Sequence, residues 1–563
     1  MKSGSKYRTF LVFFLLILSA LAAVSKIIVG YDTDEGYAVA LAYRIASGQK
    51  MLVDTWDVYQ TSVLTSAILL KPYLLLAGGV EGAFIYLRVC GAILQAAIAV
   101  YSYSVLKRCL NPFHAFIFAA VVNAYLPKEV QTIEHSYIVA LFTLLAVIFL
   151  IDRETSDRIV RKRMTLVLSA LSYAFVVFSY PTMIISVPLV GAALFFLHDN
   201  SKQERIRLVV SYFAICAAAA AGFGIYLISY IRPGDLPFYF NELLNTGDHS
   251  RPFAALFERG SILKFFAIAG GLLALAVLLW ILTRRWLHDR LFVYFYVLLV
   301  CTLAVIIPNI TGIRLSGPMG LLERYGSILA AGLFFYFMLP MERRGRYRLF
   351  IFYGIGIFAG AIMATNQTIK ENIQYIYPAV MGTLFLAMVL SEGLEERKRL
   401  LTDTVLAVFV IGLLFCKGYL VRVTSTFPAN ITELRARVTE GPLKGVWVYP
   451  EEKERYDAIT LAFQKKLPPE CSFQVIGRDP LLYLLSSESM NCPSCSNTVV
   501  YNERWIEYYT DDRHQIPDYL VIDMKTDSAE DFLKTPYGIW IRPNFDFNRR
   551  SIDSNCVFIE KVN

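Results

Sequence analysis

The sequence predicts a polytopic α-helical membrane protein with a small α/β domain at its carboxy-terminal end. Of its 563 residues, 56% are apolar and 18% are charged, whereas soluble domains average about 45–50% apolar and about 25% charged. The mean hydropathy is +0.49, which excludes a soluble globular fold. The high aromatic content excludes disorder, and the nine cysteines are too dilute for a disulfide scaffold.

Long apolar runs account for most of the chain up to residue 420. A helix needs about 20 apolar residues to cross a bilayer, and on this basis we predict about thirteen spans. They lie at about 9–29, 83–106, 112–127, 136–151, 164–180, 182–197, 208–231, 263–283, 291–308, 326–340, 349–366, 374–391 and 402–420. The first resembles a signal peptide, but it is long and lacks a convincing cleavage site, so we interpret it as a retained anchor.

The basic residues between the spans predict the orientation of the protein. They concentrate in every second loop, for example at 158–163, 343–348 and 397–399. Because Lys and Arg accumulate in short cytoplasmic loops, the amino terminus is expected in the cytoplasm. An odd number of spans then places the carboxy-terminal domain outside it. The net charge of +8 follows from this pattern rather than from a nucleic-acid partner, and the compact loops favour a bacterial plasma membrane.

The chain divides into two predicted domains, the spans at 1–420 and an extracytoplasmic α/β domain at 421–563. The latter has apolar segments typical of strands at 445–449, 472–476, 519–523 and 557–561, and a helical stretch at 451–466. The spanning part has a large first external loop at about 30–82, with further polar loops at 232–262 and 309–325. Such loops commonly carry function.

Three carboxylates open the first external loop within four residues, Asp32, Asp34 and Glu35. Amphipathic segments at 37–46 and 61–76 follow, and two helices lying in the interface would hold the cluster against the bilayer surface. One interpretation is that Asp32 or Asp34 merely caps a surface helix, as acidic residues at helix starts usually do. The other is that the cluster carries out chemistry.

Two groups of residues carry a resemblance to a known family. They are Asp34, Glu35, Tyr37, Arg44, Gly48, Asp54, Trp56 and Tyr59 after the first span, and Glu323, Arg324 and Tyr325 before a later one. In these motifs, their order and the overall architecture, the chain resembles the lipid-dependent glycosyltransferases of the GT-C superfamily. The branch it is most similar to contains protein O-mannosyltransferases and lipid A aminoarabinose transferases, of the glycosyltransferase family 39 type. It departs from them at 59–62, where many relatives have a Lys-Pro-Pro or His-Pro type segment that helps form the substrate pocket.

The resemblance implies a GT-C fold and transfer of a sugar, with inversion, from a polyprenyl phosphate to an extracytoplasmic acceptor. It implies that Asp34 is the general base, that Glu35 orients it or the acceptor, and that Asp32 is the reserve. Arg324, with Tyr325 beside it, is expected to bind the donor phosphate, because a guanidinium group grips phosphate oxygens in a fork. An arginine that snorkels to the lipid headgroups is the alternative for Arg324. Further candidates for substrate binding are Tyr37, Tyr59, His249 and Arg251.

A metal site and the cysteines leave alternatives open. Glu134 and His135, at a membrane boundary, are candidate ligands for a divalent cation or an acceptor, although a lone pair is more typical of interfacial polarity. Some relatives use a cation and others use none. Cys471, Cys492, Cys495 and Cys556 lie in the external domain, where disulfides persist, and we favour disulfides over a zinc site.

Other functions compete with sugar transfer from a monosaccharide donor. A polysaccharide polymerase or ligase would use a lipid-linked oligosaccharide, and a lipid or glycan transporter would also be polytopic. Transporters place ionisable residues within spans and show repeated halves, whereas these spans are nearly free of charge and show no repeat. A scaffold built around the external domain is the third alternative. The expected partners are a polyprenyl-phosphate-linked sugar, its acceptor (glycan, lipid or protein) and the bilayer, with no nucleic acid.

Overall fold

A computed structural model describes most of the chain outside residues 245–343. The described ranges are 2–57, 59–124, 131–197, 201–244, 344–365, 373–422, 428–486, 489–495, 502–511, 513–525 and 528–562, with a few isolated positions between 267 and 336.

Helices make up most of the described residues before residue 420. They are α1 (Lys2–Ile28), α2 (Thr33–Ala46), α3 (Leu64–Ala77), α4 (Ala83–Leu106), α5 (Pro112–Ala124), α6 (His135–Thr155), α7 (Ile159–Ser179), α8 (Val187–Phe195), α9 (Lys202–Ile228), α10 (Leu236–Leu244), α11 (Arg344–Thr365), α12 (Tyr377–Glu392) and α13 (Glu396–Tyr419). Five of these, α1, α4, α6, α7 and α9, are long and apolar enough to cross a membrane.

Most predicted spans correspond to helices whose ends differ from the prediction by a few residues. The span predicted at 182–197 is different, because a 3₁₀ segment, Pro181–Ser186, precedes the short α8. Proline lacks a backbone donor, and the prolines at 181 and 188 limit a continuous α-helix here. The spans predicted at 263–283, 291–308 and 326–340 lie outside the continuously described residues, so the total of about thirteen stays a prediction.

The membrane part is organised around α6, which packs against α4, α7 and α11 and is buried along most of its length. On another side α1 packs between α5 and α13. Polar contacts join these three helices, since Asp403 of α13 accepts from Arg8 at 2.7 Å and lies 2.8 Å from Nε2 of His114. Pairing of this kind is how a protein accommodates buried charge.

The carboxy-terminal residues after α13, for which we keep the name external domain from their predicted location, contain a five-stranded sheet in the order β6-β5-β7-β9-β8. Its strands are β5 (Ser472–Ile476), β6 (Ser489–Met490), β7 (Tyr519–Asp523), β8 (Ser551–Asp553) and β9 (Cys556–Glu560). Strand β5 runs parallel to β6 and β7, and β9 runs antiparallel to β7 and β8. Two small antiparallel pairs precede it, β1 (Leu420–Arg422) with β2 (Pro428–Asn430) and β3 (Ala436–Arg437) with β4 (Trp447–Val448). The domain also has four helices in its described residues, α14 (Pro450–Lys466), α15 (Asn502–Thr510), α16 (Ala529–Phe532) and α17 (Pro536–Ile541).

Helix α2 lies inside the protein, where it shares one hydrophobic core with the external domain. Residues 38–42 are at most 2% exposed, and they belong to the same cluster as Phe463, Phe473 and Phe558. The expectation that both loop helices lie on the bilayer surface is therefore wrong for α2, because the external domain covers the face that a surface helix would leave polar and open. Helix α3 keeps apolar side chains such as Leu75 exposed.

Candidate active site

The acidic cluster lies at the amino-terminal end of α2, and its first residue caps the helix. Asp32 has extended backbone angles, and its Oδ1 accepts a hydrogen bond from the backbone N–H of Asp34 at 2.8 Å. This is the standard arrangement of an N-cap aspartate, which satisfies one of the unpaired donors of the first helical turn. The capping interpretation is thus confirmed for Asp32, whose side chain is buried.

Glu35 is also buried, and its carboxylate is held by an arginine from α4. Nε and Nη2 of Arg88 donate to its two oxygens at 2.7 and 2.5 Å, and the hydroxyl of Thr132 donates at 2.5 Å. Arg88 donates in addition to the carbonyls of Ile27 and Gly30. This forked contact joins the end of α1, the start of α2 and α4 in one buried ion pair.

Asp34 differs from the other two acids because its side chain is only partly buried. It occupies the first turn of α2 between the capping Asp32 and the ion-paired Glu35. The positive end of a helix dipole stabilises a carboxylate at this position. Of the three candidate acids, Asp34 is therefore the one that combines a fixed backbone with access from outside.

Aromatic rings pack together one helical turn further along. Tyr37 contacts the ring of Tyr59 edge-on at 6.4 Å, and Tyr59 stacks on His135 at 4.2 Å. Tyr180 contacts both Tyr59 and His135, at 5.4 and 5.6 Å, and Tyr375 lies 6.2 Å from Tyr180. The structure thus brings together the two predicted substrate-binding tyrosines and the predicted metal ligand His135. We call these five residues the aromatic cluster.

Glu134 and His135 begin α6, and their contacts there are mainly structural. Glu134 caps the helix by accepting from the backbone N–H groups of Ser136 and Tyr137, both at 2.9 Å. Its Oε2 lies 2.6 Å from Nδ1 of His135. In the part of the chain that the structure describes, no group of three or more His, Cys, Asp or Glu side chains is arranged to hold a metal ion. These two residues therefore offer a pair of ligands where a site normally needs three or four.

The structure also contains an apolar cavity of about 440 Å³. Its walls come from α7, α9, α10 and the segment after α2, and include Leu52, Phe178 and Phe223. Gln60 and Pro181 also line it, and they are the chain neighbours of Tyr59 and Tyr180. Its size is within the range of small-molecule sites, about 300–1,000 Å³.

The cysteines of the external domain are free thiols rather than the favoured disulfides. Cys492 and Cys495 lie together against Arg44, whose Nη1 is 3.6 and 3.8 Å from their sulfurs. Burial raises the pKa of both thiols, so they are present as neutral groups that accept hydrogen bonds from the guanidinium.

Four of the predicted site residues, His249, Arg251, Arg324 and Tyr325, lie outside the described residues, as does Glu323. Conversely, sequence reasoning missed Arg88 and Thr132 beside Glu35, and Tyr180 and Tyr375 in the aromatic cluster. One of them carried a signal, because Arg88 is an ionisable residue inside the span predicted at 83–106, and such residues usually have a specific partner. The others became apparent only from tertiary contacts.

Comparison with known proteins gives a likeness of fold. No family model and no curated protein matches the chain. ArnT from Cupriavidus metallidurans in the apo state has a TM-score of 0.56 at 12% identity, over 100% of this chain and 98% of that one. The same protein bound to undecaprenyl phosphate gives 0.53 at 13%, over 98% of each chain. The Archaeoglobus fulgidus oligosaccharyltransferase in complex with Zn and sulfate gives 0.49 at 13%, over 94% and 71%. The described part of the chain is therefore similar in fold to ArnT, in agreement with the resemblance inferred from the sequence.

Proposed function

We propose that the protein is an integral membrane glycosyltransferase that moves a sugar from a polyprenyl phosphate to an acceptor outside the cytoplasm. The observation that carries this proposal is the state of Asp34. In a chain similar in fold to ArnT, it is the partly accessible acid of the cluster, held in the first turn of α2 between the buried Asp32 and the buried Glu35. A carboxylate that is held in place and accessible to a hydroxyl group is typical of a general base.

The reaction requires two main features of the protein, a general base and a binding site for the leaving phosphate. Asp34 accepts the proton of an acceptor hydroxyl as the acceptor oxygen attacks the anomeric carbon. The bond from that carbon to the phosphate oxygen breaks on the opposite face, so the anomeric configuration inverts and polyprenyl phosphate leaves. Both oxygens of Glu35 are engaged by Arg88 and Thr132, which supports a role in holding α2 rather than in taking up the proton.

The apolar cavity supports a lipid-linked donor. Its walls at Leu52, Phe178 and Phe223 are apolar, as an isoprenoid tail requires. ArnT has been solved with undecaprenyl phosphate bound, which agrees with this class of donor. The aromatic cluster supports a sugar substrate, because the apolar face of a sugar ring can pack against an aromatic ring. For the phosphate itself, Arg324 with Tyr325 stays the proposal, and His249 and Arg251 are further candidates.

The test is incubation of the purified protein with a panel of radiolabelled polyprenyl-phosphate sugars, in long-chain and short-chain forms. We expect label to leave the lipid with the wild-type protein, faster with the long-chain donor. The Asp34→Asn variant, which keeps size and polarity, should lose at least about 100-fold of this rate while inserting normally. Near-normal transfer by Asp34→Asn would remove Asp34 from the mechanism.

The same assay, with a labelled lipid-linked oligosaccharide added to the panel, separates the competing functions. Loss of label only from a lipid-linked oligosaccharide would assign the protein to polysaccharide polymerisation or ligation. Movement of intact labelled lipid between leaflets of a vesicle, without cleavage, would assign it to transport.

The proposal also requires the acidic cluster to face away from the cytosol, with the amino terminus inside and the external domain outside. Ser47, exposed at the end of α2, offers a labelling site. A Ser47→Cys variant should react with a membrane-impermeant maleimide in intact cells. Reaction only after the cytosol is opened would end the proposal.

A further inference from the structure

The carboxyl end of α2 makes a second contact with the external domain, through Arg44. Every N–H group of the Arg44 guanidinium has an acceptor there. Arg44 is 2% exposed. Its Nε donates to Gln49 at 2.5 Å, its Nη2 donates to the carbonyls of Asp54 and Cys492 at 2.6 Å each, and its Nη1 faces the sulfurs of Cys492 and Cys495. The loop from Cys492 to Cys495, which we call the thiol loop, is thus fixed on the segment that follows α2.

A buried carboxylate links the thiol loop to the candidate site. Asp57 is 3% exposed, and its Oδ1 accepts from the hydroxyls of Tyr37, at 2.9 Å, and of Ser494. Its Oδ2 accepts from the hydroxyl of Thr55 at 2.8 Å and from the backbone N–H of Cys495 at 3.3 Å. Two of the four donors therefore come from the external domain and one comes from α2.

The α2 donor, Tyr37, lies on the side of the helix that carries Asp34. Residues three apart in a helix are neighbours on one face, so Asp34 and Tyr37 occupy successive turns of the same surface. The ring of Tyr37 contacts Tyr59, which stacks on His135. A continuous set of contacts therefore leads from Ser494, through Asp57 and Tyr37, to the aromatic cluster.

A further contact near the other end of α2 supports the same arrangement. The hydroxyl of Tyr31 donates to Asp479 of the external domain at 2.8 Å. Gly36 makes this possible, because a Cβ there would collide with the Tyr31 hydroxyl. The external domain is thus bonded to α2 or its flanks on both sides of Asp34.

We propose that Asp57 is a positioning residue for sugar transfer and that Ser494 of the thiol loop holds it in place. The external domain thereby fixes Tyr37, and with it the rotation of α2 that presents Asp34. This inference rests on the proposed function. Misplacement of a reacting group by about 1 Å can cost about 100-fold in rate, so loss of one bond in this set should lower kcat without removing a substrate contact.

The test compares two serines of the external domain that both donate to an aspartate. Ser494 donates to the buried Asp57, and Ser472, at the start of β5, donates to the exposed Asp518 at 2.8 Å. We expect Ser494→Ala to lower kcat about 10-fold to 100-fold with the KM for the donor changed less than about 2-fold, and Ser494→Thr to restore transfer. Ser472→Ala is the matched control and should transfer at the wild-type rate.

A double-mutant cycle tests whether the bonds act as one set. Tyr37→Phe should lower kcat to a similar degree, and Tyr37→Phe with Ser494→Ala should be little worse than either alone, because groups in one hydrogen-bond network are not additive. Independent, multiplying losses would overturn the proposal, and so would wild-type kcat in Ser494→Ala.

An Asp34→Asn sample assayed alongside separates the two levels of inference. If Asp34→Asn is inactive and Ser494→Ala is normal, the positioning proposal alone fails. If Asp34→Asn transfers sugar normally, the proposed function has lost its base whatever the serine variants show.

Discussion

An arginine and acidic side chains fix each end of α2, but the two ends differ in whether an acidic side chain stays accessible. At the amino end, Arg88 holds Glu35, the side chain of Asp32 caps the backbone, and Asp34 between them keeps access from outside. At the carboxyl end, Arg44 and Asp57 are buried, and each is surrounded by hydrogen-bond partners. The comparison teaches that charge alone does not mark a functional residue in this protein. The buried charges hold α2 in place, and the acid that we propose as the base is the partly accessible one beside them.

The largest effect on stability is expected where a buried charge loses its partner. In Arg88→Met the carboxylate of Glu35 stays buried without its cation, which should cost about 3–5 kcal/mol of unfolding free energy. Arg88→Met combined with Glu35→Leu removes both charges and should recover a large part of that loss. Thermal unfolding of the detergent-solubilised variants measures both. A single variant as stable as wild type would show that this ion pair does not hold α2.

An effect of similar size is expected at the carboxyl end. Arg44→Met leaves the carbonyls of Asp54 and Cys492 without their donor, and bonds from a charged donor contribute about 1.5–3 kcal/mol each. The thiol loop should then open more often, so Cys492 and Cys495 should react faster with a maleimide under native conditions. Arg44→Lys retains the charge but not the forked donors, and we expect an intermediate rate. Equal alkylation rates in all three proteins, or a Cys492–Cys495 disulfide in the unreduced wild type, would contradict this account of the loop.

What the sequence could predict at these two ends follows from the range of the interactions. The bounds of α4, β5 and β7 are those expected from apolar runs ended by polar or turn residues. The capping role of Asp32 is likewise local, since its partner is two residues away. Glu35 and Arg88 are 53 residues apart, and Ser494 and Asp57 are 437 apart. Sequence periodicity does not predict such long-range pairs, because they depend on how the helices and strands pack against one another.

The burial of α2 shows the same limit. Its amphipathic pattern predicts a helix with one apolar face correctly, but it does not say what covers the other. The sequence therefore favoured a helix on the bilayer surface, whereas the external domain, contributed by the last part of the chain, covers it. The Asp34 assignment came from the family resemblance, and the structure adds the physical difference between Asp34 and its two neighbours.

The smallest expected effect concerns Asp32 and separates capping from chemistry within the cluster itself. Asp32→Asn retains a side-chain oxygen that accepts from the backbone N–H of Asp34, so stability should change by only a few tenths of a kcal/mol, whereas Asp32→Ala should cost about 1 kcal/mol. If Asp32 only caps α2, sugar transfer in Asp32→Asn stays near the wild-type rate, in contrast to the loss expected for Asp34→Asn. Transfer rates and thermal unfolding of the three variants, measured side by side, decide this. A stable but inactive Asp32→Asn would make Asp32 the base. Asp32→Asn and Asp34→Asn each remove one carboxylate next to Thr33, so the variant that loses transfer identifies the carboxylate that takes the proton.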